Sequence, residues 1–330
     1  MRNIKYILTP IILLILGTSS YAQGDYGEDR AGTEGFQFTK IAVDPRSASM
    51  GNSNMADAQD ASSLYWNPAL SARLEGTNLM VSHTEYFAGI SQNYIGIVQQ
   101  VGSFAIGGSL QYLGSGDITE TTEFQPFGTG RTFSTHHIST GISASHKVTD
   151  LFSYGITVKF LMEKIEEIQY TSGAIDFGFS YLVGDTGLRF AVGINNFGFD
   201  ASPDGTTKRN TLGGGILGVD PEEAQSLPTR FLIGAAFDVI DKDESSLVVT
   251  AQITNPSDNA EQFNVGAEYG FMNQFYIRTG YEFGVKERKI PSLGAGVELP
   301  LINRIIRADY SYSLYERLGE IHRIAISVSL

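Results

Sequence analysis

The residues with reactive side chains do not form a recognisable catalytic pattern. Gly213, Gly215 and Gly218 match the glycine spacing of a dinucleotide-binding loop, but Val219-Asp220-Pro221 follows them instead of a helix. This segment is therefore predicted to be a loop. The chain has no cysteine and no G-x-S-x-G sequence, which excludes thiolate chemistry and the commonest serine-hydrolase motif. Neither an enzymatic activity nor a cofactor is predicted.

Histidines and one acidic cluster are the remaining candidates for binding a metal. His136 and His137 are adjacent, and adjacent side chains on a strand point to opposite faces, so they are not expected to share a metal ion. Glu163, Glu166 and Glu167 lie at the end of a predicted strand and are interpreted as part of a solvated loop, with binding of calcium or of a lipopolysaccharide-bridging cation as the alternative. No metal site is predicted.

Charge and the first residues limit where the protein acts. The formal net charge of −13 argues against nucleic-acid binding, because contacts with phosphates require a basic surface. Arg2 and Lys5 precede an apolar run from Ile7 to Leu16 and the sequence Ser20-Tyr21-Ala22, which is typical of a secretory signal peptide. Residues 1–22 are therefore predicted to be a signal peptide. No later apolar run is long enough for a membrane-spanning helix.

The segment from Leu151 to Glu163 has the clearest secondary-structure pattern. Apolar residues occupy every second position and alternate with small or polar ones, so a β-strand here has one apolar face and one mostly polar face. At about 13 residues it exceeds the roughly 9–11 that a tilted strand needs to cross a bilayer. The pattern predicts a transmembrane strand with lipid on its aromatic side. The apolar series is Phe152, Tyr154, Ile156, Val158, Phe160 and Met162.

Similar segments continue from Thr77 to the last residue. Brief turns alternate with longer connections, of which Leu113–Thr132 and Gly198–Leu227 are the longest, as in outer-membrane barrels whose short turns face the periplasm. Residues 77–330 are therefore predicted to form an all-β fold, a transmembrane antiparallel up-and-down barrel of about 14 strands in contact with outer-membrane lipid. A soluble β-sandwich is the alternative, but it would need shorter strands. The predicted strands are 77–86, 90–100, 102–112, 133–147, 151–163, 168–182, 187–197, 228–240, 245–254, 261–270, 274–284, 291–299, 304–314 and 320–330.

Residues 23–76 lack this alternation and are predicted to form a leader followed by a small helical hatch, or plug, inside the barrel. A barrel of this size has a lumen wide enough for a plug or a ligand. A short helix is predicted within Arg46–Ala58, and Asp60 is predicted to cap a second helical turn. Asn67-Pro68 is predicted to cap and begin a third.

Aromatic residues in both parts have packing roles in this interpretation. Trp66, the only tryptophan, is expected to pack the hatch against the barrel wall together with Leu64 and Tyr65. The alternative is that it lines a path for an apolar ligand. Amphipathic tyrosines are suited to the aromatic girdles at the two membrane interfaces. Those assigned to the girdles are Tyr276, Tyr281, Tyr310, Tyr312 and Tyr315.

Two motifs in the hatch resemble the PorV/PorQ family of outer-membrane proteins, which is itself similar to the FadL-type fatty-acid channels. The first motif is Arg46-Ser47-Ala48-Ser49-Met50-Gly51, and the second is DASSLYWNPA, from Asp60 to Ala69. Leu70 then stands where many members have glycine. The resemblance implies a fourteen-stranded barrel with an amino-terminal hatch. It assigns structural roles in the hatch to Arg46, Met50, Gly51, Asp60, Trp66, Asn67, Pro68 and Ala69.

The resemblance also implies a part in type IX secretion in Bacteroidota-like bacteria, where members escort cargo that carries a carboxy-terminal signal domain. The first hypothesis is therefore a scaffold or cargo shuttle at the cell surface, with protein partners bound by the two longest loops. The second hypothesis is a FadL-like channel for small hydrophobic molecules. Serine, glycine, threonine and lysine dominate the lumen side of the segment 151–163, which argues against an apolar path.

Overall fold

A computed structural model describes residues 28–210, 216–219, 221, 223–242, 244–301 and 304–330. The predicted signal peptide at residues 1–22 lies outside the described residues, as do Gly213 and Gly215 of the glycine-rich segment. No helix within the described residues is long and apolar enough to cross a membrane.

Fourteen long antiparallel strands form one closed barrel, as the alternating pattern predicts. Each strand pairs with its neighbours in the sequence, and the first pairs with the last, from Asn78 opposite Ser329 to Glu85 opposite His322. Closure leaves the sheet without an unpaired edge, which a membrane requires. The strands are β1 (Thr77–Glu85), β2 (Ser91–Val101), β3 (Phe104–Gly114), β4 (Thr135–Lys147), β5 (Phe152–Ile165), β6 (Ile168–Leu182), β7 (Leu188–Gly198), β8 (Arg230–Lys242), β9 (Ser245–Pro256), β10 (Gln262–Phe271), β11 (Phe275–Phe283), β12 (Ser292–Leu301), β13 (Arg304–Tyr315) and β14 (Gly319–Ser329).

The two ends of the barrel differ in their connections. One end, called here the long-loop end, carries the two longest connections, residues 115–134 and 199–229. The first contains the short strand pair Ile118–Thr119 and Thr132–Phe133, and the second contains the pair Thr207–Asn210 and Ile216–Val219. The opposite, short-turn end has brief turns and also the start of β1 and the end of β14.

The two faces of the barrel wall have opposite chemical character, as strand β5 illustrates. Tyr154, Val158 and Phe160 on its outer face are 43%, 57% and 53% exposed, whereas Thr157 and Lys159 on its inner face are buried. Apolar exposure combined with polar burial is stable only when hydrocarbon surrounds the outside and protein fills the inside. The orientation predicted for this segment is confirmed.

Three short helices between residues 45 and 71 lie inside the barrel: α1 (Pro45–Ser49), α2 (Ser63–Trp66) and α3 (Pro68–Ser71). The prediction for α3 is confirmed, because the Asn67 side chain accepts a hydrogen bond from the Ala69 amide and Pro68 occupies the first helical position. The predictions for the other two helices were partly wrong. Helix α1 begins at Pro45, before the predicted segment, because the Asp44 side chain caps it. Asp60 accepts a hydrogen bond from the Ser62 amide in the turn before α2, so it does not cap α2 itself.

Candidate functional site: the hatch and the cavity beside it

Helix α1 is attached to the barrel wall by a buried network of charges. Arg46 lies 2% exposed and donates to Glu268 on β10 at 2.8 Å and to the Asp57 carboxylate at 2.6 Å. Glu268 also accepts from Arg278 on β11, which in turn donates to Asp309 on β13 at 2.5 Å. Buried charges are stable only when they are paired and hydrogen-bonded, so this arrangement fixes the position of α1.

Inward-facing glycines allow the hatch backbone to lie directly on the wall beside α1. A Cβ atom on Gly280 would lie 2.1 Å from the Met50 carbonyl carbon, and one on Gly266 would lie 2.5 Å from the Met50 oxygen. Gly51 has a φ of +64° and its α-carbon faces backbone atoms of Tyr281, so any larger residue would be both strained and obstructed. Met50 and Gly51 of the first motif therefore form the point of closest approach to β10 and β11.

Helix α3 meets the opposite side of the barrel through glycines and neutral hydrogen bonds. Gly155 on β5 faces the backbone of Pro68 and Ala69, and Gly178 on β6 faces the Asn67 side chain. The Asn67 amide donates to the Met55 carbonyl at 3.1 Å and to a carbonyl of β6 at 3.2 Å. The Asn-Pro-Ala sequence thus caps a helix and attaches it to the wall.

Several backbone carbonyls of the hatch are satisfied by amide side chains that project inward from the strands. Each donates to a hatch carbonyl, so polar backbone inside the barrel keeps its hydrogen bonds. The pairs are Gln92 with Ala42 at 3.1 Å, Gln111 with Phe38 at 3.0 Å, Asn195 with Tyr65 at 3.1 Å and Asn264 with Gly51 at 2.7 Å.

Trp66 belongs to the apolar centre of the hatch. It is 1% exposed, meets the Tyr65 ring edge-on at 5.0 Å, and donates from Nε1 to Asp44 at 2.8 Å. Leu64 lies in the same cluster, and against Gly107 of β3. This geometry agrees with the expected packing role.

A cavity of about 260 Å³ lies between the hatch and the long-loop end of the barrel, and one face of it is Trp66. Its lining includes residues at the loop ends of strands, such as Pro256, Gln262 and Tyr315. Most of the lining side chains are polar or charged. The polar and charged ones are Gln37, Lys40, Asn52, Tyr86, Arg230, Gln252, Thr254, Gln262, Asn264, Glu282, Tyr315 and Arg323.

The sequence matches the family model described as type IX secretion system protein PorV over residues 25–256, which include the whole hatch and the first nine strands. The chain belongs to the PorV family. No curated protein matches it significantly.

Solved structures of outer-membrane channels share the fold of this PorV-family barrel. The toluene transporter TbuX of Ralstonia pickettii superposes with a TM-score of 0.62 at 14% identity, covering 87% of this chain and 97% of its own. The Pseudomonas putida toluene transporter TodX superposes with a TM-score of 0.62 at 13% identity, with the same shares of the two chains covered. A Pseudomonas aeruginosa FadL homologue superposes with a TM-score of 0.53 at 14% identity, covering 87% of this chain and 98% of its own. At this level of identity the likeness establishes the fold of an outer-membrane barrel.

Two of the tyrosines assigned to membrane girdles face inward in this PorV-family barrel. The ring of Tyr276 lies 5.0 Å from the Arg307 guanidinium carbon, and the ring of Tyr315 lies 4.7 Å from that of Arg288. The girdle assignment was wrong for both, because each shares the strand parity of lumen-facing residues. The other three, Tyr281, Tyr310 and Tyr312, occupy strand positions whose side chains face outward.

Glu163 is not part of a solvated loop as predicted, because strand β5 continues to Ile165. Its carboxylate turns inward and accepts from the Phe36 amide at 2.8 Å, which anchors the start of the hatch. His136 bonds the Tyr112 hydroxyl at 2.7 Å on the outer face, while the His137 ring lies 5.4 Å from that of Phe38 inside. Their predicted opposite orientation is confirmed.

Sequence reasoning missed the wall residues that hold the hatch. The charged residues Glu268, Arg278 and Asp309 occupy strand positions whose side chains face the lumen. Buried charges need partners, so these positions could have indicated oppositely charged groups inside the barrel. Their pairing with Arg46, however, depends on the closed barrel. Within the part of the chain that the structure describes, no group of three or more acidic or histidine side chains is arranged to hold a metal ion.

Proposed function

We propose that this PorV-family barrel is a non-enzymatic scaffold or cargo shuttle of type IX secretion that binds protein partners through its long loops. The partners are of two kinds, components of the secretion or attachment machinery and cargo with a carboxy-terminal signal domain. In this proposal the long-loop end faces the cell exterior and the short-turn end faces the periplasm, as in other outer-membrane barrels.

The observation that carries the proposal is an exposed aromatic pair in the loop 115–134. Phe124 is 81% exposed and Phe127 is 101% exposed. Both lie between the short strands Ile118–Thr119 and Thr132–Phe133, at the far end of the loop from the barrel strands. Exposed aromatic side chains of this kind are the usual anchors of protein interfaces, because each loses a large apolar surface to a partner.

The filled lumen supports a binding role over conduction of hydrophobic molecules. Buried ion pairs and close backbone contacts hold the hatch in place, and most of the side chains that line the cavity beside it are polar or charged. A toluene-like molecule would gain little from such a lining, since apolar ligands prefer apolar walls. A hydrophobic channel remains the alternative that the toluene transporters suggest by their shared fold.

The proposal is tested by the double substitution Phe124→Ser and Phe127→Ser in a strain that lacks the native gene. We expect release of a reporter with a carboxy-terminal signal domain to fall at least tenfold, because two anchors worth roughly 1–2 kcal/mol or more each are lost. The matched control is Glu123→Ala with Gln125→Ala, which removes two exposed polar side chains from the same loop.

Both variants are compared for the amount of barrel in the outer membrane and for uptake of toluene. Normal reporter release by the phenylalanine variant at normal barrel levels would contradict the scaffold proposal. Reduced toluene uptake on deletion of the gene, with normal secretion, would favour the channel instead.

A further inference from the structure

The cations that are buried or half-buried inside the barrel fall into two groups. Most of them have a carboxylate within ion-pair distance, as expected where water is excluded. Two lumen-facing arginines, Arg230 and Arg323, have no such partner among the described carboxylates, although they are only 5% and 2% exposed. The paired cations are Lys40 with Asp258, Arg46 with Asp57 and Glu268, Lys159 with Asp176, Arg189 with Asp57 and Asp238, Arg278 with Glu268 and Asp309, Arg288 with Glu282, and Arg307 with Glu298.

Both unpaired arginines line the same cavity, although they come from different parts of the barrel. Arg230 is the first residue of β8, and Arg323 lies near the start of β14. Among the described residues of the lining, Glu282 is the one carboxylate, and it is already engaged by Arg288 at 2.9 Å and by the Asn52 amide at 2.9 Å. The cavity therefore lies between two positive charges that the described protein does not neutralise.

The local contacts of the two arginines are weak. The Arg230 guanidinium lies over the Tyr65 ring at 5.5 Å and reaches the Tyr65 hydroxyl and the Thr39 carbonyl only at 3.5 Å. The Arg323 guanidinium lies over the Tyr86 ring at 5.6 Å, reaches the Tyr86 hydroxyl at 3.4 Å and reaches the Ser313 hydroxyl only at 3.5 Å. The Nε atom of each arginine has no hydrogen-bond partner in the part of the chain that the structure describes. Such contacts compensate a buried guanidinium poorly, because it carries five donors and a full charge.

The two tyrosines cannot supply the missing negative charge. Burial raises the pKa of Tyr86 to about 12, and burial also raises the pKa of Tyr65, so both hydroxyls are neutral at physiological pH. Lys40, the third cation of the lining, is neutralised by Asp258 at 2.7 Å.

We infer that this cavity is a binding site for a small hydrophilic molecule that carries a carboxylate, which Arg230 and Arg323 hold from two sides. Guanidinium groups donate to carboxylates with well-matched geometry and without losing their own charge. Asn52 and Asn264 line the same space, and the Oδ1 atom of each has no hydrogen-bond partner among the described residues, so both can accept from hydroxyl or peptide N–H groups on the rest of the ligand.

The cavity volume limits the size of the ligand. Because a water molecule occupies about 30 Å³ in the liquid, the cavity has room for roughly nine waters or a ligand of about a dozen non-hydrogen atoms. Sugar acids and short peptide carboxyl termini both fit this description, whereas the tail of a fatty acid is longer than such a ligand and would meet a lining in which most side chains are polar or charged. This inference does not depend on the scaffold proposal, since it concerns the lumen and not the loops.

Trp66 provides the test, because it lines the cavity and is the only tryptophan of the chain. The full-length barrel is purified in dodecyl maltoside and titrated at constant ionic strength with D-glucuronate or with N-acetylglycylglycine. We expect a saturable change in fluorescence with at least one carboxylate. D-glucose and the amide of the same peptide, which lack the charge, should give none. The carboxylate that binds more tightly distinguishes a sugar acid from a peptide terminus.

Two separate substitutions, Arg230→Gln and Arg323→Gln, are expected to weaken carboxylate binding at least tenfold each. Arg317→Gln is the matched control, since this arginine lies in the loop after β13 with an 83% exposed side chain. The difference in gel migration between unheated and heated samples checks that every variant forms a closed barrel. Equal responses to charged and neutral ligands, no response to either carboxylate, or binding of laurate alone would each overturn the inference.

Discussion

Helices α1 and α3 of the hatch contact different sides of the barrel wall, and the two contacts differ in how they are held. On the wall formed by β10–β13, helix α1 is fixed by the Arg46 ion-pair network. On the wall formed by β4–β6, helix α3 has no charged residue and forms neutral hydrogen bonds, such as Ser71 with Ser145 at 2.7 Å. Arg73, which follows α3, donates to the Asp150 and Leu151 carbonyls at 2.9 Å each but forms no ion pair among the described residues. Inward glycines bring the backbone equally close on both sides.

This difference separates close approach from attachment. Glycine at a wall position only removes an obstacle, so it permits contact without strengthening it. The charged network adds a strong and directional constraint, because removing either partner leaves an uncompensated charge in a dry place. We expect the β10–β13 side to be the firmer attachment and the β4–β6 side to open first.

The largest effect is expected from Arg46→Met, which removes the central cation of the charged side. Glu268 and Asp57 would lose one partner each, and breaking a buried pair costs about 3–5 kcal/mol in the free energy of unfolding. Urea unfolding of the barrel in lipid vesicles measures this change. The double variant with Glu268→Gln should recover part of the loss, because the orphaned charge is then absent. Full additivity of the two substitutions would contradict the network.

Glycine substitutions should cost similar amounts on the two sides. Gly280→Ala places a methyl group 2.1 Å from the Met50 carbonyl carbon, and Gly155→Ala places one 2.5 Å from that of Pro68. Overpacking against backbone costs about 1–3 kcal/mol, and we expect each variant to fall in or above this range. Gly108→Ala is the matched control, since the nearest atom to its added methyl would lie 3.9 Å away. If only one of the two variants lost stability, the hatch would have to shift without an energetic cost at the other glycine.

The smallest effect is expected from Asn67→Ala on the neutral side. The variant loses the cap of α3 and two hydrogen bonds to carbonyl groups, for a cost of about 1–2 kcal/mol. Amide hydrogen exchange should become faster in α3 while α1 stays protected, because their attachments are separate. Asn255→Ala, an exposed asparagine near the end of β9, serves as the control. Equal acceleration in both helices would mean that the hatch moves as one unit.

Alternation with a period of two allowed most of the barrel to be predicted from the sequence. It determines which side chains face lipid and where strands begin and end to within a few residues, because both depend on neighbours in the chain. The cap at Asn67 is equally local, since a side chain and an amide two residues later suffice to form it. Errors arose where the strand bounds or the parity were misjudged, as for Glu163 and Tyr276.

Contacts between distant residues were decided by the tertiary structure alone. Arg46 and Glu268 are 222 positions apart, and only the register of a closed barrel brings them to the same height. The same register places Arg230 and Arg323 on one cavity, where neither has an ion-pair partner among the described carboxylates. Local patterns carry no information on strand register across fourteen strands, because every inward residue of a given parity looks alike until the barrel closes around the hatch.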